Sequence, residues 1–271
     1  MTEQRVWFIT GAGRGMGADF ARAVLAAGHR VVATGRDTER LTRVLGPSAG
    51  LLTVQLDVTR RDDAEAAVRA AVERFGRIDV LVNNAGINAE GLLEELSDDL
   101  WDRCFDINVG GTFRMCREVI PVMKQQSGGR IINAASFAAI VPSVASAAYA
   151  ASKSAVVQMT RVLASELGPY DITVNSYAPG MIPTTLNGFA EMDQAAQDRL
   201  LNTLSLRRWG DAEDVADLVA FLASDAARYI TGALIDVSGG KLATQVPQKA
   251  YEAAQSAQAA QAAQAAQAPP G

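Results

Sequence analysis

Tyr149 and Lys153 stand four positions apart, in Tyr149-Ala150-Ala151-Ser152-Lys153, at the start of a helical pattern. Residues i and i+4 share a helix face, so a phenol and an ammonium become neighbours there. A free phenol titrates near ~10, and proton exchange near neutrality needs that value lowered by about 4 kcal/mol of differential stabilisation. An adjacent ammonium acts in that direction. The pair therefore reads as a proton donor and acceptor for a carbonyl or alcohol oxygen, the alternative being a surface pair. Three polar sites could join it. Ser136 ends the fifth strand region, thirteen positions before Tyr149. Asn83-Asn84-Ala85-Gly86 ends the fourth. Asn108 lies inside a helical pattern, where asparagine is a poor helix former and needs a reason.

A second constellation is Thr10-Gly11-Ala12-Gly13-Arg14-Gly15-Met16-Gly17, between the first apolar run and the first helical pattern. Glycine lets the backbone turn tightly and lets a pyrophosphate approach without a Cβ clash. The helix N-terminus beyond it offers free N–H groups and partial positive charge. Gly11, Gly13, Arg14, Gly15, Met16 and Gly17 thus read as a dinucleotide-binding turn. The spacing departs from G-x-G-x-x-G, and no Gly-Lys-Ser/Thr follows as in nucleotide-hydrolysing loops. The second strand runs into Gly35-Arg36-Asp37. A carboxylate at the strand end would take the ribose 2′-OH and favour NAD. Gly35 holds that place instead, and Arg36, with Arg14 nearby, can pair a 2′-phosphate. NADP (as NADPH) is favoured, and NAD stays possible through Asp37.

Seven β-rich runs hold these residues: Val6–Thr10, Arg30–Thr34, Leu51–Leu56, Val80–Asn83, Arg130–Asn133, Ile172–Tyr177 and Ala233–Val237. Helical patterns lie between them at Met16–Ala27, Thr38–Leu45, Asp62–Phe75, Asp98–Gln125, Tyr149–Leu167 and Ala212–Ala223. Thr59 with Asp62 and Asp211 with Asp214 fit capping boxes. The alternation predicts an α/β fold, a doubly wound, Rossmann-like parallel sheet of seven strands with helices on both faces. Residues 1–245 read as a single domain. Residues 246–271 read as an Ala/Gln-rich tail with Gln at 258, 261, 264 and 267. A period of three sustains no packing stripe, so the tail is expected to be disordered or a frayed helix.

Composition narrows the chemistry. The 271 residues are 49% hydrophobic and 20% charged, which suits one packed globular domain. The single histidine, His29, supports neither a Ser-His-Asp triad nor a histidine metal site, and reads as a surface residue. Cys104 and Cys116 are too few for a zinc cluster or a disulfide framework, and suggest a reducing, cytoplasmic setting. The net charge is -5 with no basic stripe, against a nucleic-acid partner. No apolar run approaches the ~18 residues of a membrane span, and the N-terminal run reads as a strand, not a signal peptide.

In order and spacing these pieces resemble the short-chain dehydrogenase/reductase family in its compact form, over about residues 4–240. Leu56-Asp57-Val58, Asn108-Val109-x-Gly111, Pro179-Gly180, Tyr229-Ile230-Thr231-Gly232 and Ser238-Gly239-Gly240 belong to the same resemblance. It implies an NAD(P)-dependent oxidoreductase that moves a hydride between a nicotinamide and a ketone or secondary alcohol. Tyr149 would be the general acid or base, with Lys153 lowering its pKa and holding the nicotinamide ribose. Ser136 would hydrogen-bond the substrate oxygen, and Asn108 would hold a water linking Lys153 to solvent. Asp57 and Val58 would flank the adenine, and Asn83, Ala85 and Gly86 its ribose. Pro179, Gly180, Ile182 and Thr184 would cover the nicotinamide, with residues 185–209 as a lid. Arg207 and Arg208 would either close that lid onto the core or receive an acidic carrier. A homotetramer or dimer through the two long helices is implied. The alternatives are a 3-oxoacyl thioester (acyl-carrier-protein) reductase and a catalytically silent nucleotide-binding regulator; the latter should have lost Tyr149 or Lys153. Two positions depart from the family pattern: Ala135 stands where many relatives have a second serine, and Ser238 where aspartate is common.

Overall fold

The structure, a computed structural model, describes residues 4–183, 189–241 and 243–266. All seven expected strands form: β1 (Val6–Ile9), β2 (Arg30–Gly35), β3 (Leu51–Gln55), β4 (Val80–Asn83), β5 (Gly129–Ala134), β6 (Ile172–Pro179) and β7 (Leu234–Val237). They pair in parallel in the order β3-β2-β1-β4-β5-β6-β7. Parallel neighbours need crossovers, and helices supply them on both faces. Successive side chains point to opposite faces of a strand. Val6 and Phe8 of β1 accordingly face one core, with Val68, Met115, Val119 and Leu167. Trp7 and Ile9 face the other, with Phe20, Val24, Val215 and Leu222. The first core is covered by α3 (Arg61–Phe75), α5 (Gly111–Gln126) and α6 (Ala147–Leu167), the second by α1 (Gly15–Ala26) and α8 (Ala212–Ala223). The strand order reverses between β1 and β4, which opens a crevice at their carboxyl ends.

Three local expectations change. The single long helix over Asp98–Gln125 is broken into α4 (Asp98–Phe105), a π-helical turn over Asp106–Gly110, and α5. Thr59 and Asp62 form no capping box. Instead the Thr59 N–H and hydroxyl donate to Asp57 Oδ1 at 3.0 and 2.8 Å, and α3 starts after Arg60. Asp211 and Asp214 do form one. His29 is half-buried rather than a surface residue: its Nδ1 accepts from the Arg5 N–H at 3.2 Å.

In the tail, Gln248–Ala266 is a helix, α9. Tyr251 anchors it by donating to the Ser205 carbonyl at 2.7 Å. Such a bond contributes about 1 kcal/mol net, which corresponds to about 2–4 °C in a domain of this size. Truncation after Val246 should lower Tm by about that much and leave coenzyme binding intact. A much larger drop in a thermal melt would make α9 an integral part of the domain.

Candidate active site

The crevice is a cleft of about 1110 Å³. Its lining includes most of the predicted coenzyme residues: Gly11, Gly13, Arg14, Gly15 and Met16, then Arg36, Asp57, Val58, Ala85 and Gly86. Gly11 has φ +67°, and a Cβ there would lie 3.0 Å from Ala85 Cα. Gly17 lies behind the loop, where a Cβ would stand 2.5 Å from both Gly11 O and Asn84 Nδ2. Only glycine fits either place. Thr10 and Asn84 clamp the loop to the end of β4. Thr10 Oγ1 accepts from the Asn84 and Ala85 N–H groups at 3.0 and 2.9 Å, and Asn84 Nδ2 donates to Thr10 O at 3.0 Å.

Asn83 does not turn its side chain to the cleft as expected. It is 3% exposed, and its Nδ2 donates to Asn133 Oδ1 at 2.9 Å, tying β4 to β5. Asn84 lines the cleft in its place. Strand alternation is the signal that could have separated the two.

The end of β2 also differs in detail. Asp37, the residue that could have served NAD, caps α2 (Thr38–Leu45) by accepting from the Arg40 N–H at 2.9 Å. Arg40, not singled out in the sequence, lines the cleft and donates from Nε to Gly13 O at 3.0 Å. The cleft thus carries three exposed guanidinium groups, Arg14, Arg36 and Arg40, beside Gly35. Partial burial works to raise the Asp57 carboxyl, but the Thr59 hydrogen bonds, with Arg36 and Arg60, outweigh it and hold it below its ordinary value.

Past Gly86 the cleft meets the catalytic candidates. A Cβ on Gly86 would lie 3.4 Å from Lys153 Nζ and 3.1 Å from Asn108 Oδ1. Lys153 is 5% exposed and its ammonium donates to the Ala134 carbonyl at 2.8 Å. The same Nζ lies 5.8 Å from the centre of the Tyr149 ring. Burial lowers Lys153 to about 8. Burial also pushes the Tyr149 phenol up, and only the Ser136 hydroxyl beside it pulls down. The ammonium is turned toward a backbone carbonyl. Ser136 follows β5 and accepts from the Ala138 N–H at 3.1 Å.

Asn108 sits in the π-helical turn, 1% exposed. Its Oδ1 accepts from the Ile87 N–H at 2.9 Å, and its Nδ2 donates to Ile87 O and to Ser152 Oγ, each at 3.0 Å. Ser152 in turn donates to Tyr149 O at 2.7 Å. Asn108 therefore ties the loop after β4 to the Tyr149 helix. Such π turns recur at functional sites. Its position inside a helical pattern and the Asn108-Val109-x-Gly111 piece of the family resemblance were its sequence signals.

Pro179 ends β6, and Gly180 packs so closely that a Cβ would lie 2.6 Å from Ser238 Cα. Ile182 is buried and faces a separate small cavity of about 140 Å³ with Arg208 and Asp214. Thr184, with residues 185–188 of the expected lid, lies outside the described residues. Arg208 pairs with Asp214 through two bonds of 2.8 and 3.0 Å, and Arg207 Nε donates to Asn202 Oδ1 at 2.8 Å. Arg208 thus ties its segment to α8, while the Arg207 bond stays within the segment.

The cleft volume, the glycine approaches and the three guanidinium groups fit a nicotinamide dinucleotide. Comparison with known proteins agrees. A family model described as Enoyl-(Acyl carrier protein) reductase matches residues 11–241. The 3-oxoacyl-[acyl-carrier-protein] reductase FabG of Thermotoga maritima is 36% identical over 242 residues, spanning 88% of this chain and 98% of its own. Trans-4-hydroxycyclohexanecarboxylate dehydrogenase of Sinomonas cyclohexanicum is 40% identical over 250 residues, 89% and 93% of the two chains. The solved structure of levodione reductase superposes with a TM-score of 0.84 at 34% identity, covering 89% and 98%. These relatives are dehydrogenases and reductases alike, matched over nearly their full length, and the chain belongs with them: it is an NAD(P)-dependent oxidoreductase of the short-chain dehydrogenase/reductase family.

Proposed function

We propose that the chain transfers a hydride between NADPH and a ketone or secondary alcohol, with Tyr149 as the acid and base. The observation that carries this reading is the meeting of Lys153 with the inner end of the cleft at Gly86, next to Tyr149 and Ser136. In reduction, Tyr149 gives its phenolic proton to the carbonyl oxygen. The Ser136 hydroxyl donates to the same oxygen as charge develops on it. Lys153 holds positive charge below the phenol, and Asn108 keeps the helix carrying both in place. The coenzyme, when bound, supplies the hydride.

NADP over NAD is supported by Arg14, Arg36 and Arg40 around the cleft, and by the commitment of Asp37 to its cap. Asp57 and Val58 are assigned to the adenine, Ala85 and Gly86 to its ribose, and Pro179, Gly180, Ile182 and Thr184 to the nicotinamide end. The name of the Sinomonas relative supports a cyclic secondary alcohol as substrate class. That of the Thermotoga relative supports a 3-oxoacyl thioester, but Arg208 is already held by Asp214 rather than open to an acidic carrier. Phe113 on α5 and Val162 on α6, 48% and 56% exposed, support a homo-oligomer, tetramer or dimer, through these helices. The buried free thiols Cys104 and Cys116 suit a cytoplasmic setting.

A panel of ketones and secondary alcohols, followed at the coenzyme absorbance with each coenzyme, tests this reading. NADPH should be used better than NADH. Arg36→Asp should cut that preference by about tenfold or more, the loss expected for one charge-assisted bond. Better use of NADH by the unmodified protein would overturn the coenzyme assignment, and no turnover across the panel would overturn the reaction.

A further inference from the structure

Lys241 lies four residues past β7, on the flank of the sheet away from the coenzyme cleft. There β5, β6 and β7 run side by side, and their carboxyl ends lead into Ser136–Phe137, Gly180–Ile182 and Ser238–Lys241. The last two segments touch, since Pro179 pairs with Val237 and Gly180 abuts Ser238. The Lys241 N–H donates to Ser238 Oγ at 3.2 Å, which folds the chain back over the strand ends. Its ammonium then stands 4.9 Å from the centre of the Phe137 ring. Phe137 is the residue after Ser136, so the cation packs against the segment that carries Ser136.

Among the described residues this cation has no counter-charge. Lys241 is half-buried, and burial lowers its pKa. Among the described residues no carboxylate pairs with it, and the face of Phe137 is its contact. An ammonium drawn partly out of water is costly unless something restores its solvation. A ring face does so only in part. The other cations of this flank are engaged: Arg208 with Asp214, and Arg207 with Asn202 and the Tyr251 ring.

We propose that Lys241 is a specificity-determining residue that receives a carboxylate carried on the substrate skeleton while Ser136 and Tyr149 hold the reacting oxygen. This rests on the assignment of those two residues to the reacting centre. The charge pair selects keto acids and hydroxy acids over neutral compounds of the same shape, and orients the carbonyl toward Tyr149.

The test compares acetoacetate, levulinate and longer keto acids with their methyl esters, which keep the skeleton and remove the charge. NADPH is the coenzyme, and the readout is the ratio of kcat/KM for acid over ester. At least one pair should favour the acid by about tenfold or more, mainly through KM, as one charge-assisted contact provides. Lys241→Met should abolish that preference, and Lys241→Arg should restore most of it. Coenzyme affinity of each variant reports that it has folded. If acid and ester are both turned over and their ratio is the same in Lys241→Met, the proposal is overturned; a merely structural role on Phe137 would give that result. If the unmodified protein reduces neither acids nor esters but turns over other ketones of the panel, this inference alone is overturned; no turnover across the whole panel overturns the reaction assigned above and this inference with it.

Discussion

Tyr149→Phe is expected to lower kcat by about a thousandfold while coenzyme affinity stays within about twofold of the parent. A positioned general acid contributes of that order, equal to about 4 kcal/mol of barrier. The two readouts separate because the phenol and the cleft are distinct. The coenzyme-sized cleft is lined by the glycine loop and the ends of β2, β3 and β4, not by Tyr149. Phenylalanine keeps the ring that lies over the Lys153 ammonium and removes only the hydroxyl beside Ser136. The substitution should therefore leave the thermal melt almost unmoved. Steady-state kinetics with a competent ketone, beside a coenzyme fluorescence titration, decides it. Normal turnover would remove Tyr149 from the chemistry and with it the proposed mechanism.

Gly17→Ala is the second large effect. The new methyl would have to share space with Gly11 O and Asn84 Nδ2, each 2.5 Å away. The first is backbone of the turn assigned to the coenzyme phosphates, and the second is the side chain that clamps this turn to β4. Neither can swing aside as a flexible chain end would. Overpacking of this kind costs about 3 kcal/mol at the upper end of its usual range. If the turn yields, that cost appears as about a hundredfold weaker coenzyme binding. If the fold yields, it appears as a Tm lowered by about 6–12 °C. Gly13→Ala is the control, because a Cβ there would meet only Leu41 and Arg40 side chains at 3.8 and 3.9 Å. Its effect should be several-fold smaller on both measures. Gly17→Ala with parental affinity and parental Tm would show that the turn tolerates a side chain, contrary to its geometry.

Much of this protein is local and so was legible in the chain alone. The strands buried on both faces read as unbroken apolar runs, as Val6–Ile9 does, and all seven were found. Tyr149 and Lys153 share one helix, so their spacing alone makes them neighbours. The glycine turn announced itself in the same way, between one strand and the next helix. Ser136 was found from its place at a strand end, and its spacing to Tyr149 belongs to the family resemblance.

What the chain could not show depends on partners far away along it. Asn83 and Asn84 are equivalent as letters, and the pairing of β4 with β5 decides which one faces Asn133 and which the cleft. The helix over Asp98–Gln125 breaks at Asn108, whose side chain bonds the Ile87 backbone on a loop 21 residues earlier. Asp37 could have met a ribose, yet the first turn of α2 takes its carboxylate and sets Arg40 against the cleft. The Lys153 ammonium is drawn from the phenol toward the Ala134 carbonyl, on the neighbouring strand. Lys241 comes to rest on Phe137, 104 positions back in the chain, because β5, β6 and β7 end together. The sequence by itself determined the layered α/β fold, the dinucleotide turn and the Tyr-Lys pair, since each follows from residues within one element. Only the tertiary structure decided which polar atoms face the cleft and which brace its walls, because that choice depends on hydrogen-bond partners brought together by the sheet order.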